Sequence, residues 1–458
     1  MRLSIPAPVL KLLETLNRHG FEAYAVGGCV RDSILGKVPH DWDITTNALP
    51  EEIKRCFSGL PVLETGIRHG TVTVLAERTP YEITTYRIDG DYLDCRHPQQ
   101  VTFTRSLRED LARRDFTMNA LAYHPQTGLQ DFFGGMEDIR HKRICCVGNP
   151  KLRFQEDALR IMRAMRFVSV LGFSIEERTA DALHRSRALL QHIAAERLAA
   201  ELKQLLLGAS VREVLHDYVD TLGVVIPEVL PMVGFDQHNP HHNRTIWEHT
   251  IESIAQSPKN LLVRLTMLLH DIGKPLCYTQ DAQGIGHFYQ HAKHSTALAR
   301  TILARLKFDT QTIDTVTMLV QNHSIDLSPN PRPIKRLLHR LGAERFALLL
   351  EVKRADTLAQ APQIQQIRLE NLAKVQALME EILREQACFS LKDLAVNGRD
   401  LMELGIPQGK QIGLLLNTLL EWVMDHPEDN NKDTLLRLAE QQAHEYTMET
   451  YKSKCQKP

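Results

Sequence analysis

Val26 to Ile44 reads VGGCVRDSILGKVPHDWDI, and this stretch decides the fold of the first third of the chain. Glu22–Val26 before it reads as a short buried strand. Gly27 and Gly28 then make a turn, a helix follows, and a second strand carries Asp41 and Asp43. Side chains alternate along a strand, so the two carboxylates share one face and Trp42 takes the other. Such a pair suits hard divalent cations: Mg²⁺ prefers oxygen ligands and completes its shell with water and substrate phosphates. The Gly-Gly turn lets backbone N–H groups approach phosphates without a Cβ in the way. A D-x-D pair or a Gly-Gly alone is common. The order and spacing of the composite are what point to metal-dependent nucleotidyl transfer.

On these residues the chain resembles the polymerase-β-like nucleotidyltransferase superfamily. Within it, the chain is similar to bacterial tRNA CCA-adding enzymes of class II and their poly(A) polymerase relatives. The resemblance implies that Asp41 and Asp43 hold Mg²⁺, that Gly28 and Arg31 position a triphosphate, and that tRNA, CTP and ATP are the partners. It also implies that Glu82, in YEITTYRIDGDY (81–92), is a third carboxylate at the metal pair. Taken alone, Glu82 reads as a surface glutamate on an edge strand. TGIRHGTVTVL (65–75) alone reads as a plain hairpin. It resembles a stretch that CCA-adding enzymes carry and poly(A) polymerases replace, which favours tRNA end maturation over polyadenylation. The polar run Arg96–Asp110 resembles the flexible loop of the same enzymes.

RRDFTMNALAY (113–123) places Arg113, Arg114, Asp115 and Asn119 at the opening of an expected helix. Arg114 suits triphosphate oxygens because its planar fork binds phosphate bidentately, and Asp115 suits a ribose hydroxyl. RFQEDALRIMRAMRF (153–167) is expected to form one helix, with Asp157, Arg160, Arg163 and Arg166 as a polar stripe. Read plainly, the stripe is a salt-bridge ladder worth ~0.2–0.5 kcal/mol per pair. The resemblance gives it a function: a Glu-Asp-x-x-Arg motif there reads the incoming base. C and A both present an acceptor beside an amino donor, which an Arg and an Asp match. G and U would leave those groups unpaired.

A second constellation begins near residue 236. His249 follows FDQHNPHHNRTIWE, LLVRLTMLLHDIGKP brings His270 and Asp271 to the end of an apolar helix, and KRADTLAQ carries Asp356. This resembles the HD phosphohydrolase superfamily, which implies His249, His270, Asp271 and Asp356 as ligands of a transition metal such as Ni²⁺, Co²⁺ or Mn²⁺. The plain alternative is a degenerate helical scaffold for tRNA. His287, His291, His294 and His323 are surplus histidines, and Ser324 follows His323 where an Asp often stands in related domains.

With 458 residues, 43% hydrophobic and 24% charged, the chain has room for roughly three domains and the composition of a globular protein. The expected fold is an α/β nucleotidyltransferase head with a mixed sheet (1–150), an all-α neck and body (151–235), an α-helical HD domain (236–360) and a helical C-terminal region (361–458) whose tail frays from about Thr447. No apolar run approaches the roughly 20 residues of a membrane span. Eight scattered cysteines without a C-x-x-C pair point to the reducing cytoplasm. The net charge of −1 neither announces nor excludes a nucleic-acid partner, because phosphate contacts depend on local patches. The alternatives to full CCA addition are an enzyme adding only CC or only A, a poly(A) polymerase, and a protein that is primarily an HD phosphohydrolase. The oligomeric state is not readable from the sequence.

Overall fold

Strand β1 (Ala23–Val26) lies inside a seven-stranded mixed sheet. With β2 (Asp43–Thr46), β3 (Val62–Leu63), β4 (Thr71–Ala76), β5 (Thr79–Thr85), β6 (Arg87–Asp89), β7 (Val101–Phe103), β8 (Leu121–His124) and β9 (Gly128–Asp131), the order across the sheet is β3-β4-β5-β2-β1-β8-β9. Strands β2 and β5 run parallel and the other neighbours antiparallel, while β6 and β7 form a separate hairpin. The computed structural model describes residues 2–64, 66–90, 101–239, 243–385 and 389–455. These form two compact units, Met1–Val233 with Ile302–Asp309, and Gly234–Thr301 with Thr310–Pro458.

The first helix, Ala7–Arg18, buries Val9, Leu12, Leu13 and Leu16, an i, i+3, i+4, i+7 stripe. Each such side chain contributes ~1.5–3 kcal/mol on burial. The helix begins at Ala7, with Pro6 at its N-cap. Strand β2 starts at Asp43, so Asp41 precedes it, yet the alternation holds: Trp42 is buried and both aspartates are exposed.

One expectation for the head needs correction. Arg113–Tyr123 is no helix: a single 3₁₀ turn, Thr117–Asn119, leads straight into β8. Every β8 residue is buried between β1 and β9, so tertiary pairing overrides the helical look of MNALAY. Gly66–Gly70 lies in the connection of the antiparallel β3–β4 hairpin, as the plain reading expects, and carries a 3₁₀ turn, Ile67–His69. Outside the sheet, Arg143–Ile144 forms a short strand paired in parallel with Ser174–Ile175. Arg96–Gln100 of the loop expectation, and Pro240, His241 and His242, lie outside the described residues.

The rest of the first unit is helical. The helix expected over 153–167 is two, Pro150–Glu156 and Leu159–Leu171. Asp157 between them is extended (φ −138°, ψ 102°), and its carboxylate accepts from the Leu159 amide at 3.1 Å. Asp side chains compete with helical backbone bonding in this way. Leu159–Leu171 packs on Ala195–Leu207, with Ser169 Oγ donating to the Leu205 carbonyl at 2.6 Å.

In the second unit, Ile246–Gln256, Leu261–Leu269, Thr310–Asn322 and Ala343–Leu358 pack together. The hairpin Tyr278–Gln280 and Gly286–Phe288 makes this part not purely helical. Val396, Leu401, Leu419, Leu420, Val423 and Leu435 form a smaller core near the C-terminus. The last helix, Lys432–Cys455, continues past Thr447.

Candidate active site and a second candidate metal centre

Gly27 sits at φ +83°, a left-handed conformation open to glycine, and a Cβ there would stand 2.9 Å from Arg114 Nη1. The turn is therefore shaped around a guanidinium. Gly28 begins the helix Gly28–Ile34. Beside them the parallel pairing Ile44↔Ile83 brings Glu82 next to Asp43. Strand β5 is interior, between β4 and β2, so Glu82 is not on a sheet edge. Its side chain is exposed, as are those of Asp41 and Asp43.

Asp43 feels all of these groups. Its carboxyl is pushed above the ordinary value, first by the protein closing around it; Arg114 pulls it down, and Glu82 and Asp41 push it up again. Asp43 is the first residue of β2, exposed as a residue while the surrounding protein still desolvates its carboxyl. Three carboxylates repelling one another, all oxygen donors and all open to solvent, fit a Mg²⁺ site.

Arg114 is held from behind by Asp110, at 3.8 Å, and its Nε is buried without a hydrogen-bond partner among the described residues. Asp110 is fully buried; it accepts from Thr45 Oγ1 at 3.1 Å and pairs with Arg113 at 2.7 Å. Burial pulls Arg114 below the usual guanidinium value. Such a group favours a second anion.

The other expected nucleotide contacts join in one network. Arg31 donates to Asp32 at 2.8 Å and to Asn119 Oδ1 at 2.6 Å. Asn119 Nδ2 donates to Asp115 Oδ1 at 3.0 Å, and Asp115 Oδ2 accepts from Arg163 Nε at 2.8 Å. Arg163 and Arg166 both meet Glu201, at 3.7 and 2.7 Å. Arg31 and Arg166 cover the Phe167 ring at 5.0 and 4.2 Å. Burial raises the Asp115 carboxyl, but Arg163 and Asn119 outweigh it and hold it well below the carboxylate range. Asp115 is thus already engaged within the fold.

Asp157 does not pair with Arg160. Arg197 donates to it at 3.0 Å, while Arg160 donates to Glu156 at 2.7 Å and to the Arg153 and Arg113 carbonyls at 3.1 and 2.9 Å. Arg160 is buried and fixed by these bonds. Sequence reasoning missed Arg197 and Glu201. In AAERLAAELKQLLLG, Arg197 and Glu201 stand four residues apart on one helix face, the one available signal.

Comparison with known proteins assigns the family. Residues 23–145 match the family described as "Poly A polymerase head domain" and 172–229 "Probable RNA and SrmB- binding site of polymerase A". Residues 278–439 match "tRNA nucleotidyltransferase domain 2 putative". The CCA-adding enzyme of Lacticaseibacillus paracasei is 36% identical over 96% of this chain and 98% of its own length. The chain belongs to the CCA-adding enzymes. The Enterococcus faecalis CCA-adding enzyme is 35% identical over 95% of both. The structure of the Bacillus stearothermophilus CCA-adding enzyme in complex with CTP superposes with a TM-score of 0.71 at 29% identity, covering 97% of this chain and all of that one.

The second unit assembles a cluster that the family membership alone does not explain. His249, His270 and Asp271 converge, with His249 Nε2 3.3 Å from His270 Nε2 and 2.9 Å from Asp356 Oδ1, and His270 Nε2 3.2 Å from Asp271 Oδ2. The sequence reading left His291 and His323 as surplus. Here they face the other oxygen, Asp271 Oδ1, at 3.6 and 3.7 Å, and each other at 3.1 Å. The Nδ1 of His249, His270, His291 and His323 each lies 2.6–3.3 Å from a backbone carbonyl, of Ala359, Met267, Phe288 and Val320. Donation to those carbonyls places the proton on Nδ1 and leaves four Nε2 lone pairs facing inward. Lone pairs at 3.1 and 3.3 Å repel unless a cation lies between them, so the donor set fits a metal. Lys274, also missed, is buried and reaches Asp271 Oδ2 at 2.7 Å and Gln237 Oε1 at 2.8 Å. Burial lowers His291 to about 4, in keeping with a neutral ring. A Cβ on Gly273 would meet the Ser295 amide at 2.6 Å, so the turn after Asp271 packs directly on the helix that begins with His291.

Proposed function

We propose that this chain adds C, C and A to the 3′ end of tRNA, drawing on CTP and ATP and releasing pyrophosphate. The observation that carries the site assignment is the meeting of Asp41, Asp43 and Glu82 with Arg114 at the Gly27–Gly28 turn. Asp41 and Asp43, assisted by Glu82, hold Mg²⁺, which when bound lowers the pKa of the tRNA 3′-hydroxyl and neutralises the leaving pyrophosphate. Arg114 and the turn hold the triphosphate, with Arg31 bracing the turn through Asn119. Glu156 and Arg197 fix the directions of Arg160 and Asp157, so that their free donors and acceptors meet the C or A edge. Arg163 holds that helix against the head through Asp115, and Arg166 ties it to the helix Ala195–Leu207 through Glu201.

The test is incubation with tRNA lacking its 3′ end and each labelled nucleotide separately. CTP alone should extend by two residues, and ATP should follow. Homopolymeric A would favour polyadenylation, and C-only or A-only extension a partial enzyme.

A second reading concerns the other unit. We propose that His249, His270, Asp271 and Asp356 hold a transition metal, and that His291 and His323 extend the set through the second oxygen of Asp271. The four inward Nε2 atoms support it. Imidazole suits Ni²⁺, Co²⁺ and Mn²⁺, and a bound metal supplies hydroxide for cleavage of a phosphoester. The four-part organisation at 150, 235 and 360 and a cytoplasmic location belong to the same proposal. Cys29, Cys56, Cys145, Cys146 and Cys277 are all free thiols, as a reducing compartment would leave them.

A further inference from the structure

Asp110 lies in the helix Leu107–Ala112 and is closed off from solvent. A buried carboxylate is costly unless donors hold it, and donors from three places in the head hold this one. Arg113, the C-cap of the same helix, gives Oδ1 a fork of Nε and Nη2 at 3.0 and 2.7 Å. The amide of Arg87, at the start of β6, donates to the same oxygen at 3.4 Å. Thr45 Oγ1, on β2, donates to Oδ2 at 3.1 Å. Thr45 stands two residues beyond Asp43, so both side chains leave the same face of that strand. Oδ2 is also the oxygen that faces Arg114, 3.8 Å from Nη2. Burial raises the Asp110 carboxyl, but Arg113 and Arg114 outweigh it and hold it below the ordinary value, so the charge persists in the fold.

Arg114 is tied far less firmly. Its Nη1 lies against Gly27, and its Nε has no hydrogen-bond partner among the described residues. Burial acts on it first, and among its charged neighbours Asp110 acts most strongly, ahead of Arg113, Asp43 and Asp115. At 3.8 Å the two groups make an ion pair without a hydrogen bond, so guanidinium N–H groups remain for an incoming anion. We infer that Asp110 is the positioning residue of the triphosphate contact: it aims the Arg114 guanidinium at the phosphates beside Asp43 and does not meet the nucleotide itself. The inference rests on the proposed nucleotidyl transfer site and adds the group that fixes its phosphate-binding cation. Thr45 links that cation to the metal-holding strand, because one Asp110 oxygen serves both. A bidentate phosphate contact depends on where the planar fork stands, so a pinned carboxylate behind it sets affinity. The contact is blind to the base, which separates the role of Asp110 from that of Arg160.

The test is a double-mutant cycle in the full chain between Asp110→Asn and Arg114→Ala. Binding of pyrophosphate and of CTP, each with Mg²⁺, is measured by equilibrium dialysis without tRNA, beside KM for CTP and ATP. Asn keeps the shape and removes the charge. Asp110→Asn should raise Kd for pyrophosphate and KM for CTP and ATP together, each by about tenfold, the scale of one hydrogen bond to a charged group. The preference for CTP over UTP should stay at the parent value. In the Arg114→Ala background the same substitution should change Kd for pyrophosphate by less than about twofold, because the group it aims is gone. Thr45→Val takes one donor from Oδ2 and should move the same constants the same way by about threefold; it carries the cycle where Asp110→Asn does not fold. An unchanged or tighter Kd for pyrophosphate would overturn the inference. Losses that add in the Arg114→Ala background would overturn it too, since they would make Asp110 a support of the fold. Binding is read without transfer, so a parent protein that binds CTP and adds no C or A refutes the proposed reaction and leaves Asp110 to be judged by the cycle.

Discussion

The head and the second unit both gather carboxylates, and they surround them differently. In the head, Asp41, Asp43 and Glu82 are open to solvent, with oxygen the one donor type and Arg114 at their side. In the second unit, Asp271 is buried among four imidazoles whose protons are committed to backbone carbonyls. An open oxygen set leaves coordination positions for water and substrate phosphates, as Mg²⁺ requires. A closed nitrogen-rich set selects a softer ion and fixes each ligand from behind. The difference separates carboxylates open to solvent from a carboxylate closed within the fold.

The comparison breaks first at Asp43. Asp43→Ala or Asp41→Ala should lower CMP incorporation about a thousandfold, because several kcal/mol of transition-state charge stabilisation go with the metal. Folding and tRNA affinity should be nearly unchanged, since both side chains are exposed. Retention of more than a tenth of the parent rate at saturating Mg²⁺ would place the metal elsewhere.

Arg160→Ala should reduce the preference for CTP and ATP over UTP and GTP by about 10- to 100-fold, the range for loss of a polar contact in a discriminating pocket. Competition assays with all four nucleotides read this directly. Unchanged selectivity would move base reading away from the Glu156–Arg160 pair.

Stability sharpens the comparison next. Asp115 is a buried carboxylate held by Arg163 and Asn119, so Asp115→Ala should destabilise the first unit by about 3–5 kcal/mol, the range for a broken buried pair. Its folded pKa lies below the unfolded value of 3.8. The stabilisation is therefore complete above that value and is lost as pH falls through and below it. Asp115→Asn should flatten the acid side of the unfolding profile; an unchanged acid limb would show that the pair does not set it.

The smallest effect on nucleotide addition belongs to the second unit. His270→Ala should abolish retention of Ni²⁺, Co²⁺ or Mn²⁺, measured by elemental analysis after dialysis, and leave CMP incorporation within about twofold. Equal metal content in parent and variant would reduce the cluster to a structural one.

The contrast also explains what could be read from the chain. The strand, Gly-Gly turn, helix and D-x-D strand were legible because period-two alternation and a turn are local properties, and Trp42 is indeed buried between two exposed aspartates. Leu121–His124 was not legible as a strand, because β8 owes its conformation to β1 and β9 and not to its own propensity. The break at Asp157 was hidden for a related reason: one carboxylate bonding the Leu159 amide interrupts an otherwise helical pattern. Arg197 could not be assigned to Asp157 from 40 residues away, since only helix packing brings them together. His291 and His323 had no spacing signal; the turn at Gly273 and the hairpin ending at Phe288 set the place of His291, and the end of the helix Thr310–Asn322 that of His323.

The most direct measurement strips the protein of all metals and adds back Mg²⁺ alone, following CMP and AMP incorporation into tRNA that lacks its 3′ CCA. The account predicts that Mg²⁺ restores the full rate while the second unit stays free of transition metal, because Asp41 and Asp43 are sufficient for transfer. Recovery only with Ni²⁺, Co²⁺ or Mn²⁺, in protein that remains folded, would contradict it.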